Sequence, residues 1–393
     1  LAVWLIWPVL SDDAVRYRFE GGTWLVGESP YAVPPGTRLR QAVSGRPTDS
    51  IDRLVPHPEL ASIYPPVAQA QFVLCRWLEN QTFGPAPEFD GRNWRTAAGD
   101  MPWKHRLGVQ KVFSSAAWMG CIGVLLRLGR RLGVCPGVVG SLGVHPLAVV
   151  EFSGNAHIDS LAVLLLAIGL CRWAKQGHWG TWLALSIATK PFGLLVAPFL
   201  ARGDEKWRSN LVGLVIAGGA LSLPIVAFPG GLDGLTATAR TYAASWEANG
   251  SVYELLKRSA GADQVLQQAR KDLGRQLHLV GVLGITAILV YVSRNPLAGA
   301  SWALLISLLL SPVVYPWHVA ACAIVAVLAR DGPVVACLML AGTVCMAHNL
   351  WNSGDWQLPW QILAAEYAPV YAIAAVEALT ALQRISSRSG SRS

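Results

Sequence analysis

The chain has 393 residues, 53% hydrophobic and 14% charged, with a formal net charge of +8. Soluble domains carry about 25% charged residues, so the composition argues against an ordinary soluble globular protein and predicts an all-α polytopic membrane protein. The positive excess is spread over short loops and not gathered into a basic patch with interleaved aromatics, which argues against nucleic acid as a partner.

In chain order, residues 1–10 are too few to cross a bilayer, which takes roughly 20 apolar residues. They read as the end of a first transmembrane helix whose start is missing, because they lack the basic segment and cleavage site of a signal peptide. Residues 11–106 form a polar external loop rich in Pro and Gly, with an amphipathic helix over 14–26 and a membrane-surface helix over 63–77. Residues 107–228 form a transmembrane core with spans at about 107–127, 134–150, 157–173 and 209–228. A second external loop covers 229–275. C-terminal helices over 276–382 supply spans at about 277–293, 297–312, 315–329, 333–350 and 359–381, and residues 383–393 are a basic cytoplasmic tail. Trp residues such as Trp173, Trp179, Trp207 and Trp360 flank the apolar runs, as expected of indoles at a membrane interface.

The segment 180–200 carries Lys190-Pro191 at its centre, where proline should break a helix. It reads as one broken span or as a re-entrant hairpin, and charge decides between them. Cytoplasmic loops collect Lys and Arg. A hairpin puts thirteen Lys and Arg against three Asp and Glu on one side, leaving a net −2 elsewhere. The expectation is therefore about ten transmembrane helices plus a re-entrant hairpin, with both termini cytoplasmic.

Five groups of residues can carry chemistry. Asp12 and Asp13 stand where the first helix would leave the bilayer; such a carboxylate can accept a proton from a sugar hydroxyl, or cap the helix that follows. His57, Tyr64 and Gln69 flank a proline turn before the surface helix, and read as sugar contacts or as a loop held on the membrane surface. Glu151, His157 and Asp159 stand at a membrane boundary, where ionisable groups are expensive unless they line a cavity. Lys190, alone among apolar residues, either snorkels or pairs with an anion such as a lipid phosphate. Trp246–Ser251 and Ser311–His318, the latter with Trp317 and His318, could wall an outward cavity. Asn249-Gly250-Ser251 also matches a glycosylation sequon, a weak signal. There is no Walker A loop, no GxGxxG, no HExxH and no GxSxG, and no Cys pair spaced for a metal or a disulfide framework.

The order of these features resembles the GT-C superfamily of membrane glycosyltransferases, and more closely the bacterial polyprenyl-phosphate-mannose-dependent mannosyltransferases grouped with glycosyltransferase family 87. The resembling segments are Asp12-Asp13 with Arg16-Tyr17, Gly27–Tyr31, His57–Leu60 through Tyr64-Pro65-Pro66, Ser153–Asp159, Thr189-Lys190-Pro191, and Ser311-Pro312 through Trp317. Ile158 stands where the family often has Asn between His and Asp, and Ser29 where Asn usually precedes Pro-Tyr.

The resemblance implies an inverting hexosyl transfer, of mannose in the first instance, from a lipid-linked sugar donor to a lipid-linked or cell-envelope glycan acceptor. It also implies a bacterial inner membrane, with the site facing the periplasm or exterior. Asp12 would be the leading general base, with Asp13 positioning it or the acceptor. Lys190, His157 and Arg16 would face the donor phosphate, and Asp159, Glu151, His57, Tyr64, Gln69, Trp317 and His318 the substrates. Membrane lipids are the other partners. No cofactor is implied and no metal ligand is assigned, although two carboxylates leave metal dependence open. The competing reading is a polytopic transporter or lipid flippase, which the broken segment suits; no internal repeat supports it.

Overall fold

The computed structural model describes residues 11–42, 51–84, 104–330, 342–349 and 358–390. The expected end of a first helix at 1–10, much of the expected span at 333–350 and residues 391–393 lie outside them. Among the described residues every regular element is a helix, and two isolated β-bridges join 248–249 to Val313. The chain forms two units, Leu1–Trp246 and Glu247–Ser393.

The first unit opens with α1 (Asp13–Leu25), one residue from the expected start, and α2 (Pro35–Ala42). Next comes α3 (Pro66–Phe83), which starts at the predicted proline turn, with Pro65 as N-cap and Pro66 in its first turn. Proline fits there because first-turn amides have no intrahelical partner. α1 lies against α3 at Gly21, where a Cβ would come within 2.2 Å of the Phe72 carbonyl oxygen, and Tyr17 stacks on Phe72 at 4.4 Å.

Although charged, α1 is mostly buried because its charges are paired. Arg18 grips Glu79 on α3 at 2.7–2.9 Å and Asp52 at 2.5 Å. Arg76 lies 3.2 Å from Glu79 and 3.6 Å from Asp52, and Arg106 lies 3.6 Å from Glu79.

α4 (Gly108–Leu132) ends where Gly133 adopts a left-handed conformation, φ 70°, and Val134 donates to the Gly129 carbonyl at 2.8 Å. The expected span at 134–150 is instead broken. α5 (Pro136–Gly143) and α6 (Pro146–Ala148), which runs into a π-helical turn Val149–Gly154, are bent by 41°. The break falls at Pro146, which has no amide to donate. α7 (Asp159–Trp173) packs on α4, and α8 (Gly180–Ile187) packs on α7.

α9 (Gly193–Arg202) follows a five-residue break centred on Lys190. The chain then turns back on itself. Trp173 donates to the Leu200 carbonyl at 3.1 Å, and the Trp179 indole to Asp204 at 2.7 Å, so the end of α9 returns to the start of α8. α10 (Trp207–Val226) closes the hairpin. Asn210 Oδ1 accepts from the amides of Trp179 at 2.8 Å and Gly180 at 3.1 Å, capping α8 from outside. α11 (Gly231–Ser245) ends the unit.

The second unit holds α12 (Ser251–Arg258), α13 (Gln264–Val292), α14 (Pro296–Leu310), a 3₁₀ turn Pro316–His318, α15 (Val319–Ala329) and α16 (Trp360–Gly390). α15 is buried along almost its whole length.

Among the described residues three helices, α4, α10 and α13, are long and apolar enough to cross a bilayer, and the bent pair from Pro136 to Gly154 is a fourth if it is one span. Of the about ten expected spans, that ending at residue 10 and most of that at 333–350 lie outside the described residues, while α7 and α14 have 15 residues each and α15 has 11, where a full span takes about 20. α10 and α13 leave apolar side chains uncovered, Val215 at 71% exposure and Val280 at 68%, as lipid-facing surfaces do.

Candidate functional site

The site lies in the first unit, where the start of α1, the Tyr64 turn, the π-helical turn, the head of α7 and the hairpin break converge. Ser11 Oγ accepts from the Asp13 amide at 3.2 Å. Asp12 holds the N-cap position, where its carbonyl accepts from the amides of Val15 and Arg16, but its side chain makes no capping bond. The expected carboxylate cap is thus replaced by the serine.

Asp13 points to the centre. It accepts a hydrogen bond from the Tyr64 hydroxyl at 3.2 Å, and its other oxygen lies 3.5 Å from His157 Nδ1. Its side chain is 27% exposed, whereas His157 is fully buried. Burial, then the charges of Asp13 and Glu20, push the Tyr64 phenol well above its usual range, so it remains a donor. Tyr17 shifts the same way through burial and then Tyr64, Asp13 and Asp159.

The other ring nitrogen of His157 lies 3.3 Å from Glu151, which is fully buried and accepts from Asn155 Nδ2 at 3.0 Å. The His157 carbonyl is pinned by Ser114 at 2.8 Å and Ser160 at 3.1 Å. Asp159, also fully buried, lies 3.4 Å from Lys190 Nζ, so the hairpin break delivers its cation to the head of α7. The Ala188 carbonyl accepts from the Val67 amide at 2.8 Å, which ties the break to the start of α3. Asp13 and His157 lie within electrostatic reach of Asp159, so the two pairs form one cluster.

Two residues expected to meet substrate are committed elsewhere. Arg16 donates to Glu20 at 2.5 Å and to the carbonyls of Pro56, His57 and Leu60 at 2.7–3.1 Å. Four of its five N–H donors are thus engaged by Glu20 and the loop backbone, which makes it a scaffold of the loop. Gln69 is buried, donates to Glu20 at 2.6 Å and accepts from the Trp24 indole at 2.9 Å. His57, whose backbone Arg16 clamps at φ 49°, places its ring edge against Trp246 at 4.8 Å. Trp246 stacks on Tyr242 at 5.2 Å, and the Tyr242 phenol lies within electrostatic reach of Asp13 and Asp159.

Trp317 and His318 belong to the second unit. There Trp317 is buried and stacks on Tyr315 at 4.6 Å, and His318 Nδ1 accepts from the Tyr315 amide at 3.4 Å. In the same unit, the Ala248 amide donates to the Pro312 carbonyl at 3.0 Å and the Val314 amide to the Ala248 carbonyl at 2.7 Å, so the two segments expected to wall a cavity meet. The Asn249 side chain is buried and donates to Glu366 at 2.8 Å, which leaves the sequon unavailable in the folded chain.

Sequence reasoning missed Tyr17 and Tyr242. Tyr17 follows Asp13 by one helical turn, a spacing that places both on one face. Tyr242 carries no such signal. Among the described residues, no group of three His, Cys, Asp or Glu is arranged to hold a metal ion. No protein-family model matches the sequence, and no curated protein matches it.

Proposed function

We propose that this chain is a membrane glycosyltransferase of GT-C type, with about ten spans and a re-entrant hairpin. It transfers a hexose, mannose first among the candidates, from a polyprenyl-phosphate sugar to a lipid-linked or cell-envelope glycan. The donor reaches the site laterally from a bacterial inner membrane, on its non-cytoplasmic side. The observation that carries the reading is the Asp13 carboxylate. It is partly exposed, oriented by Tyr64 and His157, and clustered with a lysine held at the tip of a hairpin.

In this mechanism Asp13, and not Asp12, is the general base. It takes the acceptor hydroxyl proton as that oxygen attacks the anomeric carbon, and the bond from that carbon to the phosphate oxygen breaks with inversion. Lys190 neutralises the charge that gathers on the departing lipid phosphate. Tyr242, Trp246 and His57 offer aromatic surface for a sugar ring beside the base.

The test is Asp13→Asn in membranes supplied with radiolabelled polyprenyl-phosphate mannose, and in parallel with the glucose, galactose and arabinose donors. General-base help is worth roughly 10²–10⁴-fold, so transfer falls by at least about 100-fold at normal expression, while Asp12→Asn loses less. Unchanged turnover by Asp13→Asn overturns the base assignment. Sugar-independent solute uptake by the wild type in proteoliposomes, without transfer, overturns the enzymatic reading in favour of a transporter.

A further inference from the structure

Glu151 is read from the sequence as a substrate contact, but its surroundings point inward. It sits on the π-helical turn Val149–Gly154, a rare geometry that recurs at functional sites. Its side chain is fully buried, one oxygen receives Asn155 and faces His157 Nε2 at 3.3 Å, and the other has no hydrogen-bond partner among the described residues. The backbone is bent to make this meeting. Ala156 adopts φ 63°, a conformation that costs a non-glycine residue energy, and the His157 amide then donates to the Glu151 carbonyl at 3.1 Å. The backbone beneath the ring is fixed, because the His157 carbonyl is held by Ser114 and Ser160. The charged groups about it are Asp13 from α1, Glu151 from the π-helical turn, and Asp159 at the head of α7, which Lys190 balances.

We infer that Glu151 is a positioning residue that holds the Nε2–H edge of His157, so that Nδ1 faces Asp13 as the next stop for the proton Asp13 takes from the acceptor. The inference rests on the glycosyltransferase reading and deepens it. The proton inventory closes. The acceptor O–H proton passes to Asp13 Oδ2 as the glycosidic bond forms, and the electron pair of the broken carbon–oxygen bond leaves on the lipid phosphate. The proton then moves to His157 Nδ1, which leaves an imidazolium between two carboxylates. After product departure it returns to Asp13 and leaves through that residue's exposed edge. The resting distances are 3.3 and 3.5 Å, and the relay requires both to shorten in the substrate complex, as catalytic hydrogen bonds that are long at rest do.

Glu151→Gln tests this, because an amide presents both a donor and an acceptor to Nε2 and no longer dictates which ring nitrogen carries hydrogen. With radiolabelled polyprenyl-phosphate mannose, kcat falls by about 100-fold, donor KM stays within about twofold, and the pH dependence of kcat changes shape. Asn155→Ala, which removes the other bond to Glu151, gives the same pattern in weaker form and serves if Glu151→Gln does not fold.

A second readout needs no turnover. In histidine-¹⁵N-labelled protein, the ring signals of His157, assigned by their loss in His157→Gln, shift in Glu151→Gln. Unchanged ring signals, or a rise in KM with kcat intact, overturn the inference. Should the wild type transfer no sugar, the enzymatic reading fails alone, and the ring signals still decide whether Glu151 sets the His157 tautomer.

Discussion

Lys190 Nζ lies 3.4 Å from a carboxylate oxygen of Asp159, and among the described residues it is the cation paired with that carboxylate at salt-bridge distance. The lysine is therefore the counter-charge of a fully buried acid as well as the proposed phosphate ligand. Removing one member of a buried pair costs about 3–5 kcal/mol, because the other is left uncompensated. Lys190→Met should lower the melting temperature in detergent and abolish transfer. Adding Asp159→Asn should restore most of the melting temperature but none of the transfer. Equal melting of Lys190→Met and wild type would rule out the counter-charge role.

The aromatic run Tyr242–Trp246–His57 gives a second prediction. Aromatic contacts add about 0.5–1.5 kcal/mol beyond their buried area. Trp246→Ala should therefore raise the acceptor KM by about two- to tenfold and leave the donor KM unchanged, as measured by varying each substrate in turn. An effect confined to the donor would remove the acceptor from this surface.

In the second unit, Glu247 gathers Tyr253 at 2.8 Å, Lys271 at 2.9 Å, Lys257 at 3.1 Å and Arg275 at 3.3 Å. Burial alone raises its carboxyl, but the donors Lys271, Tyr253 and Lys257 outweigh burial and hold it below the usual range. A folded-state value below the unfolded one means the unfolded chain binds more protons as the medium acidifies. The stabilisation is complete above the unfolded glutamate value of about 4.3 and is lost as pH falls through the folded value. Denaturation midpoints taken from about pH 6 to about pH 3 should fall more steeply for wild type than for Glu247→Gln. Parallel curves would contradict the assignment.

Much of this architecture is legible in the sequence because local chemistry sets it. Pro65-Pro66 marks the start of α3, the acidic pair marks the start of α1, and Lys190-Pro191 marks the break between α8 and α9. Across that break Trp179 and Asp204 meet, so the chain turns back on itself there. What could not be read depends on partners far apart in the chain. Nothing in the sequence near Arg16 announces that its side chain binds the Pro56–Leu60 backbone. The choice between Asp12 and Asp13 depends on which side of the first helical turn faces His157. The π-helical turn that turns Glu151 toward His157 has no compositional signature, and Pro146 hides a 41° bend inside an apolar run that passes for one span.

The Arg18 node has a consequence for biogenesis. Its members, Arg18, Asp52, Arg76, Glu79 and Arg106, come from four separate stretches of chain. Each ion is costly to dehydrate unless the others are already present. These four stretches are thus expected to lock together in one concerted step. A chain missing any part of that knot would display an orphaned guanidinium or carboxylate, the kind of flaw that leaves a chain open to surveillance proteases.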